Sequence, residues 1–310
     1  MTQACQRNLI FVIGKGGVGK TVLSQALALA LSQTQNKSGK SKKILWVCFE
    51  DPSRPMSKLI PRPEGKGQLW HLNLDPMDAF EEYASLKIEA LGGTFLSRLK
   101  IGTTRLTKTF LDNKLIRYMA KAAPGIHELV LLGKVWYERE HYDHVVIDMP
   151  STGYGVAMFQ STINFSKLFG GGPLARDADQ MLATFRDPEK SGFWIVALPE
   201  EMPLREAIEL DELLRELFPD NPAEFVVNRV FPESTHPNPE APDQWETPFA
   251  TDIKDYAAKR STLEAHNLKL WDQAKIKYTE IGYIPPSQSR DEAELVRSLA
   301  DEIREKGIVS

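Results

Sequence analysis

Between Gly14 and Thr21 the chain reads GKGGVGKT, two lysines and a threonine set among four glycines. Glycines let successive backbone N–H groups turn inward around phosphate oxygens, and a helix starting just after them adds the positive end of its dipole. Lys20 supplies a compact positive charge, and the Thr21 hydroxyl is a hard oxygen ligand suited to Mg2+. Gly14, Lys15, Gly16, Gly17, Val18, Gly19, Lys20 and Thr21, with Val22 behind them, are therefore the expected cradle for the phosphates of ATP. Asp148 ends the run VVID, the usual place for a carboxylate that holds the Mg2+ shell directly or through water; the plainer alternative is a helix or turn cap. Asp51 closes a buried run and opens a proline-containing loop, which would bring its carboxylate near a γ-phosphate and the Mg2+ beside it; a turn-initiating aspartate is the plainer alternative. Gly153 would carry a backbone N–H to the γ-phosphate. Asn228 ends another buried run, and its amide can both donate to and accept from adenine or simply form a turn. Pro285 and Pro286 could wall the base.

These residues need a scaffold that delivers strand ends to one place. Short runs rich in branched and aromatic residues recur at Leu9 to Ile13, Ile44 to Phe49, Val145 to Asp148, Phe193 to Leu198, Phe225 to Val230 and Glu280 to Ile284, with a weaker run at Trp70 to Leu74. Helical patterns separate most of them, at Thr21 to Ser32, Ile126 to Arg139, Leu204 to Leu217 and Arg290 to Lys306. Alternation of this kind predicts an α/β fold, a doubly wound and mainly parallel sheet forming one domain over residues 1–310. The strand before Gly14 and the helix from Thr21 give the phosphate loop the context it requires. Residues 76–125 and 155–188 contain no convincing strand and are expected to form an inserted helical subdomain above one sheet edge. The stretch 33–43 reads as a polar turn, and 232–248 as a proline-rich loop.

Lys15, one residue after the first glycine, makes the loop open as GKGG, and in this the chain resembles the deviant P-loop ATPases. It is most similar to the ArsA arsenite-pump ATPases and the guided-entry ATPases that deliver tail-anchored membrane proteins. Further segments carry the resemblance in order: Glu50-Asp51-Pro52, LNLDPMDAFEEY at 72–83, YDHVVIDMPSTGYG at 142–155 and VVNRVFP at 226–232. The resemblance implies a nucleotide-driven dimer, a homodimer or a heterodimer with a similar chain, in which Lys15 reaches the partner's phosphates. It also implies that Asp51 positions the attacking water and that Asn228 reads adenine. Two departures stand out. Residues 51–58 read DPSRPMSK where the family commonly has DPAHNLSD, and Tyr154 in DMPSTGY stands where the family has histidine, so the coupling of the two switch loops is expected to differ.

Composition narrows the alternatives. Hydrophobic residues make up 42% and charged residues 26%, close to a globular average, and the formal net charge of −4 offers no general attraction to nucleic acid. With two cysteines in all, the chain has no CxxC pair for zinc, no iron–sulfur ligand set and no three-thiol metalloid site. A cytoplasmic chain is expected, with no signal peptide and no membrane span. The segment 98–121 is opposite in sign to the whole, with seven basic residues and one acid. It is expected to be either a solvated helix or a contact for an acidic or membrane-anchored client. Two classes of function remain open, a Mg-dependent ATPase and a nucleotide-gated binding module that scarcely turns over.

Overall fold

A computed structural model describes residues 3–36, 39–49, 68–76, 78–80, 82, 125–168, 173–231, 248–285, 289 and 291–309. Asp51 and its loop, the basic segment 98–121, most of 76–125, the proline-rich loop 232–247 and Pro286 lie outside them.

Among the described residues seven strands form one sheet: β1 (Leu9–Gly14), β2 (Lys43–Phe49), β3 (Gln68–Leu74), β4 (His144–Asp148), β5 (Ser191–Ala197), β6 (Glu224–Val230) and β7 (Tyr278–Gly282). Their order across the sheet is β3-β2-β4-β1-β5-β6-β7, and every neighbouring pair is parallel. The apolar content of each run follows its place. β1, β4 and β5 are central and buried along their whole length, whereas β3 and β7 are partly exposed edges. Half-exposed edges explain why β3 gives the weaker sequence signal.

The described helices are α1 (Lys20–Ser32), α2 (Ile126–Glu138), α3 (Thr152–Leu168), α4 (Pro173–Arg186), α5 (Glu201–Leu217), α6 (Pro248–Gln273) and α7 (Glu292–Glu305). Successive side chains of a strand point to opposite faces, so the sheet feeds two cores. On one face Ile10, Val12, Trp46 and Trp194 meet α1 and α7. Lying between the sheet and α7, α1 is buried along nearly all of its length. Inside this layer the Trp46 indole N–H donates to Ser24 Oγ of α1 at 2.9 Å, and the Trp46 ring lies 4.7 Å from that of His71. Asp291 caps α7 by accepting from the Glu294 N–H at 2.8 Å.

On the other face Phe11, Phe193, Phe159, Phe185 and Phe218 form a ring cluster with centroids 5.1–5.9 Å apart. Residues 155–188, read from sequence as part of a helical subdomain, form most of α3 and α4, and Phe159 of α3 lies directly on the central strand through Phe11. Phe165 of α3 is buried in the same core. No helix among the described residues is long and apolar enough to cross a membrane.

Candidate active site

Because all strands are parallel, their carboxyl ends share one edge of the sheet, and β1 lies where the connections diverge to either side. Crevices of this kind are where doubly wound sheets bind ligands. β1 hands over to α1 through the loop from Gly14 to Gly19. An ideal Cβ on Gly14 would lie 2.4 Å from the Val196 carbonyl oxygen of β5, so the loop enters too close to β5 for any side chain. Gly17 and Gly19 have φ of 88° and 90°, the left-handed region that glycine adopts freely. Lys15, Gly16 and Gly17 are exposed at the tip of the loop, while Val18 turns into the α1-side core and Val22 packs partly against it.

Lys20 opens α1 and is 8% exposed. Its Nζ donates to the Lys15 carbonyl at 2.8 Å, closing the loop on itself. Burial lowers the Lys20 pKa, and the nearby Asp148 charge opposes that shift. Asp148 ends β4 on the same face as α1. Burial raises its carboxyl from 3.8 to about 6, against a hydrogen bond from the Thr21 hydroxyl and the charge of Lys20. Its Oδ1 is buried without a hydrogen-bond partner, and so is Thr152 Oγ1 at the start of α3. A buried carboxylate oxygen with no partner, beside a hydroxyl and an ammonium, suits a hard divalent cation with oxygen ligands. Among the described residues no group of three or more His, Cys, Asp or Glu side chains could hold a metal ion, and the oxygen donors beside the loop are the Asp148 carboxylate and the Thr21 hydroxyl.

Asn228 reaches the loop from β6. Its Nδ2 donates to the Val18 carbonyl at 2.9 Å, and its Oδ1 accepts from the Arg229 N–H at 3.0 Å. Arg229 itself has φ of 60°, a positive value outside glycine. Asn228 thus braces the loop from behind. Gly153 is exposed in the first turn of α3, and Pro285 follows β7 half-buried; both lie at the carboxyl-end edge. Tyr154 is 44% exposed, and its hydroxyl donates to Glu128 Oε1 of α2 at 3.4 Å.

Sequence reading missed one partner of the loop. Lys15 Nζ lies 2.6 Å from Glu206 Oε1, on α5. Glu206 is one of several glutamates along α5, and nothing in its spacing marks it out. Only the fold, bringing the corner after β5 beside the loop, joins the two.

Comparison with known proteins agrees with this geometry. A family model described as anion-transporting ATPase matches residues 7–170. The chain is 27% identical over 243 residues to the ATPase BagA of Mycobacterium tuberculosis, covering 74% of this chain and 67% of that protein. It is 24% identical over 258 residues to a putative arsenical pump-driving ATPase of Aquifex aeolicus, covering 73% and 81%. Similarity to the ATPase GET3B of Arabidopsis thaliana is 24% over 287 residues, covering 76% and 67%. A nucleotide-binding loop on this sheet, together with a family match over more than half its length, places the chain in the anion-transporting ATPase family as an ATPase.

Proposed function

We propose that this ATPase is magnesium-dependent and works as a pair of chains. The observation that carries the reading is the convergence of Lys20, the Thr21 hydroxyl and the partnerless Asp148 oxygen where β1 and β4 end. The loop from Gly14 to Gly19 holds the triphosphate, Lys20 neutralises its terminal oxygens, and Asn228 keeps the loop in shape at the side of the base, with Pro285 near it. Thr21 and Asp148 hold Mg2+, which when bound offsets charge on the phosphate oxygens. Hydrolysis splits ATP with water into ADP and phosphate, a reaction limited by alignment and charge rather than by a strong base. Asp51 is assigned the alignment of that water, and Gly153 a backbone N–H to the γ-phosphate. Lys15 is exposed, so its ammonium is able to leave Glu206 and enter the phosphates of a second copy.

Phosphate release from the native chain, Asp51→Asn and Lys15→Ala, with and without a magnesium chelator, tests this. Both variants and the chelated enzyme should fall at least ten-fold below the native rate. Equal release in all samples discards the assignment, and ATP binding without release in the native chain supports a nucleotide-gated module instead. The basic segment 98–121 is proposed as the contact for an acidic or membrane-anchored client. Changing Arg105, Lys108 and Arg117 to glutamate should abolish capture of such proteins from extract at unchanged ATPase rate; undiminished capture removes the segment from this role. Cys5 and Cys48 are buried and not joined in a disulfide, which fits a cytoplasmic setting.

A further inference from the structure

Residue 15 is held at both of its ends. Its carbonyl accepts from Lys20 Nζ at 2.8 Å, and its ammonium pairs with Glu206 Oε1 at 2.6 Å. The second contact joins segments 191 residues apart and is built on a firm base. Gly14 pairs in register with Val196 of β5 and lies against its carbonyl, so the entry to the loop is fixed on β5. From β5 the chain passes Pro199, whose carbonyl accepts from Asn267 Nδ2 of α6 at 3.2 Å, and enters α5, where the Leu204 N–H donates to the Glu200 carbonyl at 3.1 Å. One turn later Glu206 faces Lys15. The Lys15 side chain is 56% exposed and that of Glu206 27%, so the pair is neither buried nor fully solvated.

We propose that Glu206 is the positioning residue of Lys15, holding its ammonium within its own chain until a second nucleotide-loaded copy draws it away. The proposal rests on the reading that Lys15 serves a partner's phosphates. A lysine tied to a carboxylate in the single chain must give up that contact to cross between chains, and both chains give it up together. Glu206 therefore sets how readily loaded chains pair, at the expense of the paired state. It also keeps the ammonium close to the loop rather than free to wander, so the charge is delivered from a fixed starting point.

The test is the concentration at which half of the protein is paired, measured by sedimentation with magnesium and a non-hydrolysable ATP analogue. Partly exposed ion pairs are weak, and two break per pair of chains. Glu206→Gln should lower the midpoint by about two- to thirty-fold, with analogue affinity of the single chain unchanged. Glu206→Asp should remain near the native midpoint. In a Lys15→Ala background the further change Glu206→Gln should do nothing, which a merely structural glutamate would not obey. A midpoint unmoved or raised by Glu206→Gln overturns the proposal while leaving the function intact. Lys15→Ala that pairs and hydrolyses like the native chain instead overturns the role of Lys15 on which the proposal stands.

Discussion

At Asp148 burial and neighbouring charge pull in opposite directions, and burial wins. Its carboxyl stands at about 6 in the folded chain against 3.8 in the open. With a raised folded value, the native state binds the proton more tightly than the unfolded one. Asp148 therefore contributes most to stability below about pH 4, and that contribution is lost as pH rises through about 6. Roughly two units at about 1.4 kcal/mol each give on the order of 1–3 kcal/mol, the lower end allowing for the partner that Lys20 loses on substitution. Without nucleotide or metal, Asp148→Asn should raise the free energy of urea unfolding by this amount at pH 8, and the gap to the native chain should close as pH falls from about 6 to about 4. A gap that stays constant with pH would show that the carboxylate is not held in this way. That Lys20, Thr21 and Asp148 would stand beside one another was legible from sequence, because the loop is local and VVID ends a buried run whose carboxyl end faces it. Glu206 was not, because its meaning comes only from the distant residue it meets.

The elements show the same division. β1, β4 and β5 declare themselves as unbroken apolar runs because both faces of each are covered. α6 leaves no such trace. Tyr256, Leu263 and Leu270 are exposed on it while Leu268 and Trp271 are buried, so apolar residues lie on both sides and no single stripe emerges. Glu264 is 3% exposed on the same helix, where its Oε2 accepts from the Phe231 N–H at 2.7 Å and its Oε1 from Arg260 Nε at 2.6 Å. A charge buried with both oxygens engaged pins α6 to the end of β6. Trp271 completes the attachment, edge-on to Phe225 with centroids 5.0 Å apart. Trp271→Ala should cost about 3–5 kcal/mol in denaturant unfolding, as for other buried aromatic truncations. A loss below about 1 kcal/mol would mean that α6 is not part of the cooperative unit. The outer edge of β7 is closed by α7: Glu302 Oε1 accepts from the Gly282 N–H, and Lys306 Nζ donates to the Glu280 carbonyl, each at 2.7 Å. Side chains thereby occupy backbone groups that an edge strand would otherwise offer to another chain.

For the molecule as a whole, parallel topology gathers the loop, Asp148, Asn228 and the corner leading to Glu206 at one edge, so a ligand there ties four strands together. Binding to the folded chain alone stabilises it by mass action. ATP with magnesium at a hundred times its dissociation constant should add about 2.7 kcal/mol to unfolding, and chelation should remove most of the gain. No difference between the two conditions would separate nucleotide binding from magnesium.

The indole of Trp46, whose N–H ends on Ser24 inside α1, also has an optical consequence. The helix that begins at Lys20 carries a hydroxyl against a buried fluorophore, so any shift of that helix on nucleotide uptake should register as a change in the polarity around the ring. Subtracting the emission of Trp46→Phe from that of the native chain isolates this one ring among six tryptophans, giving a label-free view of the loop from the interior.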